Sequence, residues 1–351
     1  SMLVIATTVI AIVASAVTIP FLKPLSVLMG ADESMVEHCV TYATILLIGM
    51  LPFMLQNLFQ ALMITAQKPH LGFVITVFAG CTNMFLDYLM VGVMRLGLAG
   101  AAWATVISEI VGGIIPLIYF LMPNSSLLRI GKTKFYGKVF FGACVNGSSE
   151  LVSNISASIV AILYNKKLME YAGQNGVSAY GVFMYVSFVF LAIFIGYAIG
   201  SAPIVSYHYG AKNYDELNNL FRKGITVNAI FGIIMLCLGE ITAVPLGKLF
   251  VGYDAELLEM TCRCFYIGSV CYLFAGTNIF ASSFFTALNN GIVSAIISFM
   301  RTLVFQVSTV LLLPLVWKLD GVWMSITAAD ILAFCVTLFF LIKLRKKYHY
   351  A

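Results

Sequence analysis

The sequence predicts an all-α membrane protein with ten transmembrane helices, and three observations lead to this prediction. Of the 351 residues, 61% are hydrophobic and only 10% are charged, whereas soluble domains carry roughly a quarter charged residues. The mean hydropathy of +0.98 agrees with that composition. The chain also divides into long apolar runs, and a helix needs about 20 such residues to cross a hydrocarbon core.

Ten such runs follow one another along the chain. They cover residues 3–22, 39–65, 71–94, 98–122, 139–164, 177–206, 224–250, 260–288, 291–317 and 321–343. Each is expected to form a helix, because lipid offers no hydrogen-bond partner to a free backbone group. A membrane β-barrel would instead show short segments of alternating hydrophobicity. The pattern therefore favours a helical bundle that crosses the membrane many times.

Lys and Arg residues predict how the chain is oriented. Twelve of them lie in the loops after the second, fourth, sixth and eighth runs and at the C-terminus, against seven on the opposite side. By the positive-inside rule we expect both termini of this chain in the cytoplasm, with the protein in the plasma (inner) membrane. The net charge of +5 follows from this loop bias. The Lys and Arg residues form no basic stripe, so no nucleic-acid partner is expected.

The residue patterns of membrane-embedded enzymes are missing from the sequence. It contains no HExxH zinc motif and no GxSxG nucleophile motif. The four histidines, at positions 38, 70, 208 and 349, fall at span ends or in loops, and nearly all of the eight cysteines lie inside apolar runs. Since no spacing suggests a metal site, we expect neither enzymatic activity nor a cofactor.

An internal repeat relates the start of the chain to its end. At an offset of 221 residues, Asn57 falls on Asn278. In the same register Glu109 falls on Asp330, and the first four runs fall on the last four, with boundaries that agree to within seven residues. The same order at an offset of six spans predicts a parallel repeat about an axis along the membrane normal. The fifth and sixth runs lack partners, so the repeat predicts twelve helices in two bundles of six, with the first two absent from this chain.

This repeat also predicts the domain organisation. Residues 1–126 would form the N-terminal bundle, equivalent to helices three to six of the complete fold. The basic segment 127–138 would be a cytoplasmic linker, and residues 139–351 would form a C-terminal six-helix bundle.

Three polar residues of the first bundle are candidates for a cation site. Asn83 and Asp87 are four residues apart and share a helix face, and Thr105 lies on the next helix. Their oxygens suit a hard cation such as Na⁺, and a desolvated Asp87 would serve equally as a proton carrier. The alternative is that Asn83 and Asp87 only form hydrogen bonds with neighbouring helices. The repeat-related positions hold Val304, Ser308 and Ile326, so the full cluster belongs to one bundle, which favours a site.

Carboxylates within other spans are further candidates. A charged residue in mid-membrane costs about 2.5–3.5 kcal/mol even on insertion scales. Glu150, which lies between Asn146 and Asn154 at helical spacing, either faces a cavity and binds a cation or stays neutral beside its amide neighbours. Glu109 and Asp330, paired by the repeat, are as consistent with helix packing as with a site.

These residues also carry a family resemblance. The first half contains Pro52 with Gln56-Asn57, Asn83-Met-Phe-Leu-Asp87 and Gly97-Leu-Ala-Gly-Ala-Ala-Trp-Ala-Thr105. The second half adds Glu150 and Gly200-Ser-Ala-Pro-Ile-Val-Ser-Tyr-His-Tyr-Gly-Ala-Lys-Asn213. In this order and spacing, the whole chain resembles helices three to twelve of the multidrug and toxic compound extrusion family.

The resemblance implies a function and assigns roles to residues. Members of that family are secondary-active exporters of mostly cationic organic compounds, which they exchange for Na⁺ or H⁺ by alternating access between two bundles. It implies that Asn83, Asp87 and Thr105 line the coupling-cation site, with Na⁺ at Asp87 as the candidate metal. It also implies a substrate cavity lined by Glu150, Asn154, Asn278, Gln56 and Asn57.

The resemblance further implies organic cations and the lipid bilayer as partners, a monomer, and no cofactor beyond the coupling ion. At position 278 some members carry an acid, so Asn278 argues against a second Na⁺ site there.

Two other interpretations stay open. A flippase of lipid-linked sugars from the same wider superfamily would need a more basic cavity to hold pyrophosphate, whereas this chain places Asp and Glu in its spans. A truncated remnant that no longer transports is also compatible with the sequence. In the resembled family a further Asp comes from the first helix, for which this chain has no counterpart.

Overall fold

The computed structural model describes residues 1–28, 33–126 and 128–350, and these ranges contain helices and no strand. The helices are α1 (Met2–Thr18), α2 (Leu22–Leu28), α3 (Glu33–Ile48), α4 (Met50–Thr65), α5 (Pro69–Asp87), α6 (Gly97–Leu121), α7 (Gly137–Asn146), α8 (Ser148–Gly210), α9 (Tyr214–Val251), α10 (Ala255–Gly268), α11 (Tyr272–Ala287), α12 (Gly291–Phe299) and α13 (Gln306–Tyr348). Short 3₁₀ segments join α1 to α2 and α10 to α11, and π-helical segments, Tyr88–Val93 and Met300–Phe305, follow α5 and α12.

The described helices agree with the ten predicted crossings. Seven helical stretches are long and apolar enough to cross a membrane, or eight when the bent pair α3–α4 counts as one. Two of them, of 61 and 58 residues, are far longer than one crossing requires. Gly173 divides the first at φ 60°, and Lys318 divides the second at φ 48°. Both breaks fall where the sequence predicts loops, between the fifth and sixth and between the ninth and tenth runs.

Tight turns with positive φ join several successive helices. Gln67, Lys212 and Asn289 have φ angles of 58°, 56° and 58°, the left-handed conformation that commonly ends a helix. The next residue is then the N-cap of the following helix. Asn213 and Asn290 cap α9 and α12, each accepting a hydrogen bond from a backbone N–H of the first turn, as N-cap residues do. The chain therefore reverses direction without long loops.

Large apolar side chains cover the outward faces of the spans. Phe73 is 69% exposed, Ile241 is 72% exposed and Leu315 is 71% exposed. Apolar surface on this scale is unfavourable in water and marks contact with a membrane or a partner. Together with the length of the helices, it identifies a multi-pass membrane protein.

The chain divides into two compact units, Ser1–Phe140 and Phe141–Ala351. In the first unit α6 packs against α3, α4 and α5. Gly113 permits the approach of α4, because a Cβ at this position would lie 2.8 Å from the Pro52 carbonyl oxygen. In the second unit α11 packs against α8, α9, α12 and α13. Of the predicted linker, residue 127 lies outside the described residues, 128–136 form no helix, and α7 begins at Gly137.

The repeated helices follow in the same order in both units. α4, α5 and α6 correspond to α11, to α12 with its π-helical extension, and to the part of α13 after Lys318. Gly97 and Lys318, which both have positive φ, are separated by the predicted 221 residues. The helix starts at Pro69 and Gly291 are separated by 222. The repeat register therefore holds to within one residue.

Candidate functional site

A polar cavity of about 350 Å³ lies within the first unit. Its walls are Phe53, Gln56, Asn57 and Gln60 of α4, Thr76, Ala79, Gly80 and Asn83 of α5, and Thr105, Ser108 and Glu109 of α6. Sites for small molecules have volumes of about 300–1,000 Å³ and combine apolar walls with a few convergent polar groups. This cavity fits that description at its small end.

The polar wall results from the spacing of polar residues along the three helices α4, α5 and α6. Each helix contributes residues three and four positions apart, as in the series Phe53, Gln56, Asn57 and Gln60, and such residues share one face. α4 and α5 are joined across the cavity by a hydrogen bond of 3.5 Å from Gln60 Nε2 to Thr76 Oγ1. The cavity is therefore formed where three polar stripes meet.

The structure brings two of the three predicted cation-site residues onto this cavity. Asn83 and Thr105 line it, whereas Asp87, the last residue of α5, lies one turn further on and does not. Thr105 Oγ1 donates to the Ala101 carbonyl oxygen at 3.1 Å. Within the described part of the chain, the side chains of Asn83 and Asp87 make no hydrogen bond or ion pair. The bonds to neighbouring helices that the alternative interpretation expects are thus not seen there.

Glu109, which the sequence left open between helix packing and a site, is the charged group of this cavity. It alone among the eleven lining residues carries a charge. Its carboxylate has no hydrogen-bond or ion-pair partner in the residues that the structure describes. Gln56 and Asn57, predicted for the substrate cavity, also line it. The cavity contains neither Lys nor Arg.

Three further polar residues of the lining, Gln60, Thr76 and Ser108, were not predicted. The two hydroxyl residues give a weak signal in the sequence, because hydroxyl side chains in membrane helices often bond to their own backbone. Thr76 Oγ1 does so with the Gly72 carbonyl oxygen at 3.0 Å. Ser108 does so with the Thr105 carbonyl oxygen at 2.7 Å. Only their position beside Gln56 and Asn83 at helical spacing could have identified them.

In the second unit, the predicted residues near the start of α8 are exposed. Glu150 has no side-chain partner among the described residues, and Asn154 Nδ2 donates to the Glu150 carbonyl oxygen at 2.8 Å. Asn146, which ends α7, donates instead to the Thr286 carbonyl oxygen of α11 at 3.1 Å. The polar stripe predicted from spacing is therefore divided at Gly147, between the two helices.

Asn278 and Asp330 lie in a buried polar cluster of the second unit. Asp330 is 2% exposed and Asn278 is 1% exposed. Arg301 Nε donates to Asp330 Oδ1 at 2.6 Å, and Asn278 Nδ2 donates to the Asp330 carbonyl oxygen at 3.0 Å. Thr337 Oγ1 completes the cluster by donating to Asn278 Oδ1 at 2.9 Å. A buried charge requires such pairing, and here the protein supplies the cation itself.

Known proteins match this chain in sequence and in fold. A family model described as MatE matches residues 1–89 and 151–312. The probable multidrug resistance protein YoeA of Bacillus subtilis is 26% identical over 336 residues, which make up 92% of this chain and 70% of that protein. The multidrug export protein MepA of Staphylococcus saprophyticus is 24% identical over 205 residues, 55% of this chain and 44% of that protein.

A solved structure shows the same fold. It is the outward-facing conformation of a multidrug resistance MATE family transporter of the MOP superfamily, with a TM-score of 0.92 at 19% identity. The likeness covers 99% of this chain and 78% of the other.

Proposed function

Because the chain belongs to the MatE family, we propose that it exports mostly cationic organic compounds across the plasma membrane by antiport with Na⁺ or H⁺. Its curated relatives are named as multidrug resistance and multidrug export proteins. Those names concern the relatives. The cavity of the first unit supports the proposal that this chain also exports organic compounds.

The observation that carries the proposal is the composition of this cavity. A carboxylate within the membrane is costly unless a cation or a proton neutralises it, and Glu109 is the one charged wall residue. Phe53 adds an aromatic ring, a group that attracts organic cations through its π face. The absence of Lys and Arg from the wall argues against the flippase interpretation, which requires a cavity that binds pyrophosphate.

Coupling is proposed to involve Asp87, Asn83 and Thr105. Asn83 and Thr105 line the same cavity as Glu109, and Asp87 lies one helical turn from Asn83. Na⁺ or H⁺ bound at Asp87 would disfavour the organic cation, because either ion neutralises the Asp87 carboxylate and so removes a negative charge that attracts the organic cation to the neighbouring cavity. The coupling free energy is reciprocal, so the organic cation weakens ion binding by the same factor. In an alternating-access cycle, this competition drives exchange.

The orientation is proposed from the bias of Lys and Arg between the loops, which places both termini of this chain in the cytoplasm. In that orientation the coupling ion enters from outside and the organic cation leaves the cytoplasm.

Efflux of a fluorescent organic cation from proteoliposomes, driven by an imposed Na⁺ or H⁺ gradient, tests the proposal. Transport should follow one of the two gradients and be lost in Asp87→Asn. Asp215→Asn is the matched control, because Asp215 is an exposed acid at the start of α9. Asp87→Asn transport at the control rate would overturn the assignment of Asp87. Absence of gradient-driven transport in the unsubstituted protein would instead support the flippase or the non-transporting remnant, and lipid-linked sugars would be tried next.

A further inference from the structure

The buried cluster of the second unit and the cavity of the first occupy related positions in the repeat. At an offset of 221 residues, the acid Asp330 corresponds to Glu109. The amide Asn278 corresponds to Asn57, or to the neighbouring amide Gln56 at the offset of 222 that the helix starts show. Both amides and Glu109 line the cavity. The first unit therefore repeats the acid and the amide of the closed cluster.

The arginine of the closed cluster has no counterpart in the first unit. Arg301 corresponds to Gly80 at an offset of 221 and to Ala79 at an offset of 222. Both residues line the cavity, so in either register a small side chain stands where the second unit carries a guanidinium group. A Cβ built at Gly80 would meet no atom within 4 Å. Space thus remains on the wall of the cavity that the unpaired acid also lines.

We propose that the guanidinium or protonated amine of a transported compound binds the Glu109 carboxylate, in place of the arginine that this position of the repeat lacks. The inference rests on the proposed export function and names the chemical group that the cavity selects. In the second unit, the contact of Arg301 Nε with Asp330 Oδ1 at 2.6 Å shows the interaction between the same two chemical groups. A charge-assisted hydrogen bond of this kind is short and about twice as strong as a neutral one.

This arrangement favours cations that carry N–H groups. Glu109 offers a hydrogen-bond acceptor, and so do the side-chain oxygens of Asn57 and Gln56. A quaternary ammonium ion carries the same charge but donates no hydrogen bond, so it gains only the Coulomb attraction and the contact with the Phe53 ring. The selectivity for N–H donors should therefore depend on Glu109.

Equilibrium binding without any ion gradient tests the inference separately from transport. The full chain is placed in lipid nanodiscs and titrated with phenylguanidinium and with phenyltrimethylammonium. Glu109→Gln should weaken phenylguanidinium binding roughly tenfold to a hundredfold, the loss expected for one hydrogen bond to a charged group. The loss for phenyltrimethylammonium should be smaller. Glu256→Gln, which changes an exposed acid of α10, should leave both affinities unchanged.

A second pair of variants keeps the test decisive even where Glu109→Gln folds poorly. Gly80→Arg places a tethered guanidinium on the wall of the same cavity and should abolish phenylguanidinium binding. Gly80→Gln adds a neutral side chain into the same open space and should weaken binding less.

Two results would overturn the inference. They are equal phenylguanidinium affinities for the unsubstituted protein and Glu109→Gln, or equal affinities for the two Gly80 variants. In either case gradient-driven export of organic cations would leave the proposed function standing. Failure of the unsubstituted protein both to bind and to export any organic cation would overturn the function and the inference together.

Discussion

Arg301 and Asp330 form an ion pair inside the second unit, with Arg301 Nε 2.6 Å from Asp330 Oδ1. The side chain of the acid is 3% exposed and that of the arginine is 19% exposed, so both charges are largely removed from solvent. The pair lies between the π-helical segment after α12 and the second half of α13, and Asn278 of α11 bonds to the same aspartate. Three helices of the unit are therefore tied together around one buried carboxylate.

The first prediction concerns this pair. Arg301→Met leaves the buried carboxylate unpaired, which should destabilise the protein by about 3 kcal/mol, at the lower end of what breaking a buried pair costs. Asp330→Asn alone should also destabilise, because the guanidinium then loses its counter-ion. The double variant should recover much of the loss. Thermal unfolding in detergent measures the stability of all three variants. A double variant whose loss of stability equals the sum of the two single losses would show that the two charges do not depend on each other.

The second prediction compares two asparagines. Asn83→Leu removes a side chain without a hydrogen bond to the described residues, so its effect on stability should stay within about 0.5 kcal/mol. Asn278→Leu removes hydrogen bonds from a buried cluster and leaves Thr337 unpaired, so it should cost about 1–3 kcal/mol. The two melting temperatures provide the comparison. In the proposed function Asn83→Leu should nevertheless reduce transport, and a normal transport rate would remove Asn83 from the site.

The third prediction concerns the contact between α4 and α6. A Cβ at Gly113 would lie 2.8 Å from the Pro52 carbonyl oxygen, and backbone cannot move aside as a flexible side chain can. Gly113→Ala should therefore lower the melting temperature by separating the two helices. Gly196→Ala is the control, since a Cβ there meets no atom within 4 Å; it should be neutral or slightly stabilising because glycine is a poor helix former. Equal melting temperatures for the two variants would contradict this account.

The fourth prediction concerns Tyr164, which is fully buried and donates to Gln306 Oε1 at 2.7 Å. Tyr164→Phe keeps the ring and its stacking on Tyr180 but leaves the amide oxygen without this donor. We expect a loss of about 1 kcal/mol, the usual net value of one hydrogen bond. Tyr185→Phe changes a tyrosine that is 72% exposed and should have no measurable effect. A loss shared by both variants would point to a general effect of the hydroxyl group.

Much of the fold could be predicted from the sequence because hydropathy marks both the spans and their interruptions. The gaps around Gly173 and Lys318 separate apolar runs, and the helices break at these residues. The candidate site was predicted in part. Helical spacing places Asn83 and Asp87 on one face, but spacing does not say how far along α5 the cavity extends, and Asp87 lies beyond it.

The partners of buried charges could not be predicted from the sequence. Arg301 and Asp330 are 29 positions apart, and only the packing of their helices brings them together. The sequence does not identify Asp330 as the partner of Arg301. The sequence also left Glu109 undecided between packing and function. Whether a carboxylate on one helix lies near another helix is known only once the position of that second helix is known.

The fifth prediction follows from the contrast between the units and concerns where the coupling ion binds. The buried acid of the second unit already has Arg301 as its counter-ion, whereas Asp87 of the first unit has no ion-pair partner in the described residues. We therefore expect coupling to depend on the first unit alone.

The charge-balanced variant Arg301→Gln with Asp330→Asn should keep the gradient dependence and the ion-to-substrate ratio of the unsubstituted protein. Asp87→Asn should lose both. Ion and substrate fluxes measured together in proteoliposomes distinguish the two, with size-exclusion profiles confirming that each variant is folded. A folded double variant whose ratio changes would show that the pair opens during transport, because only a pair that releases its carboxylate can add an ion to the cycle.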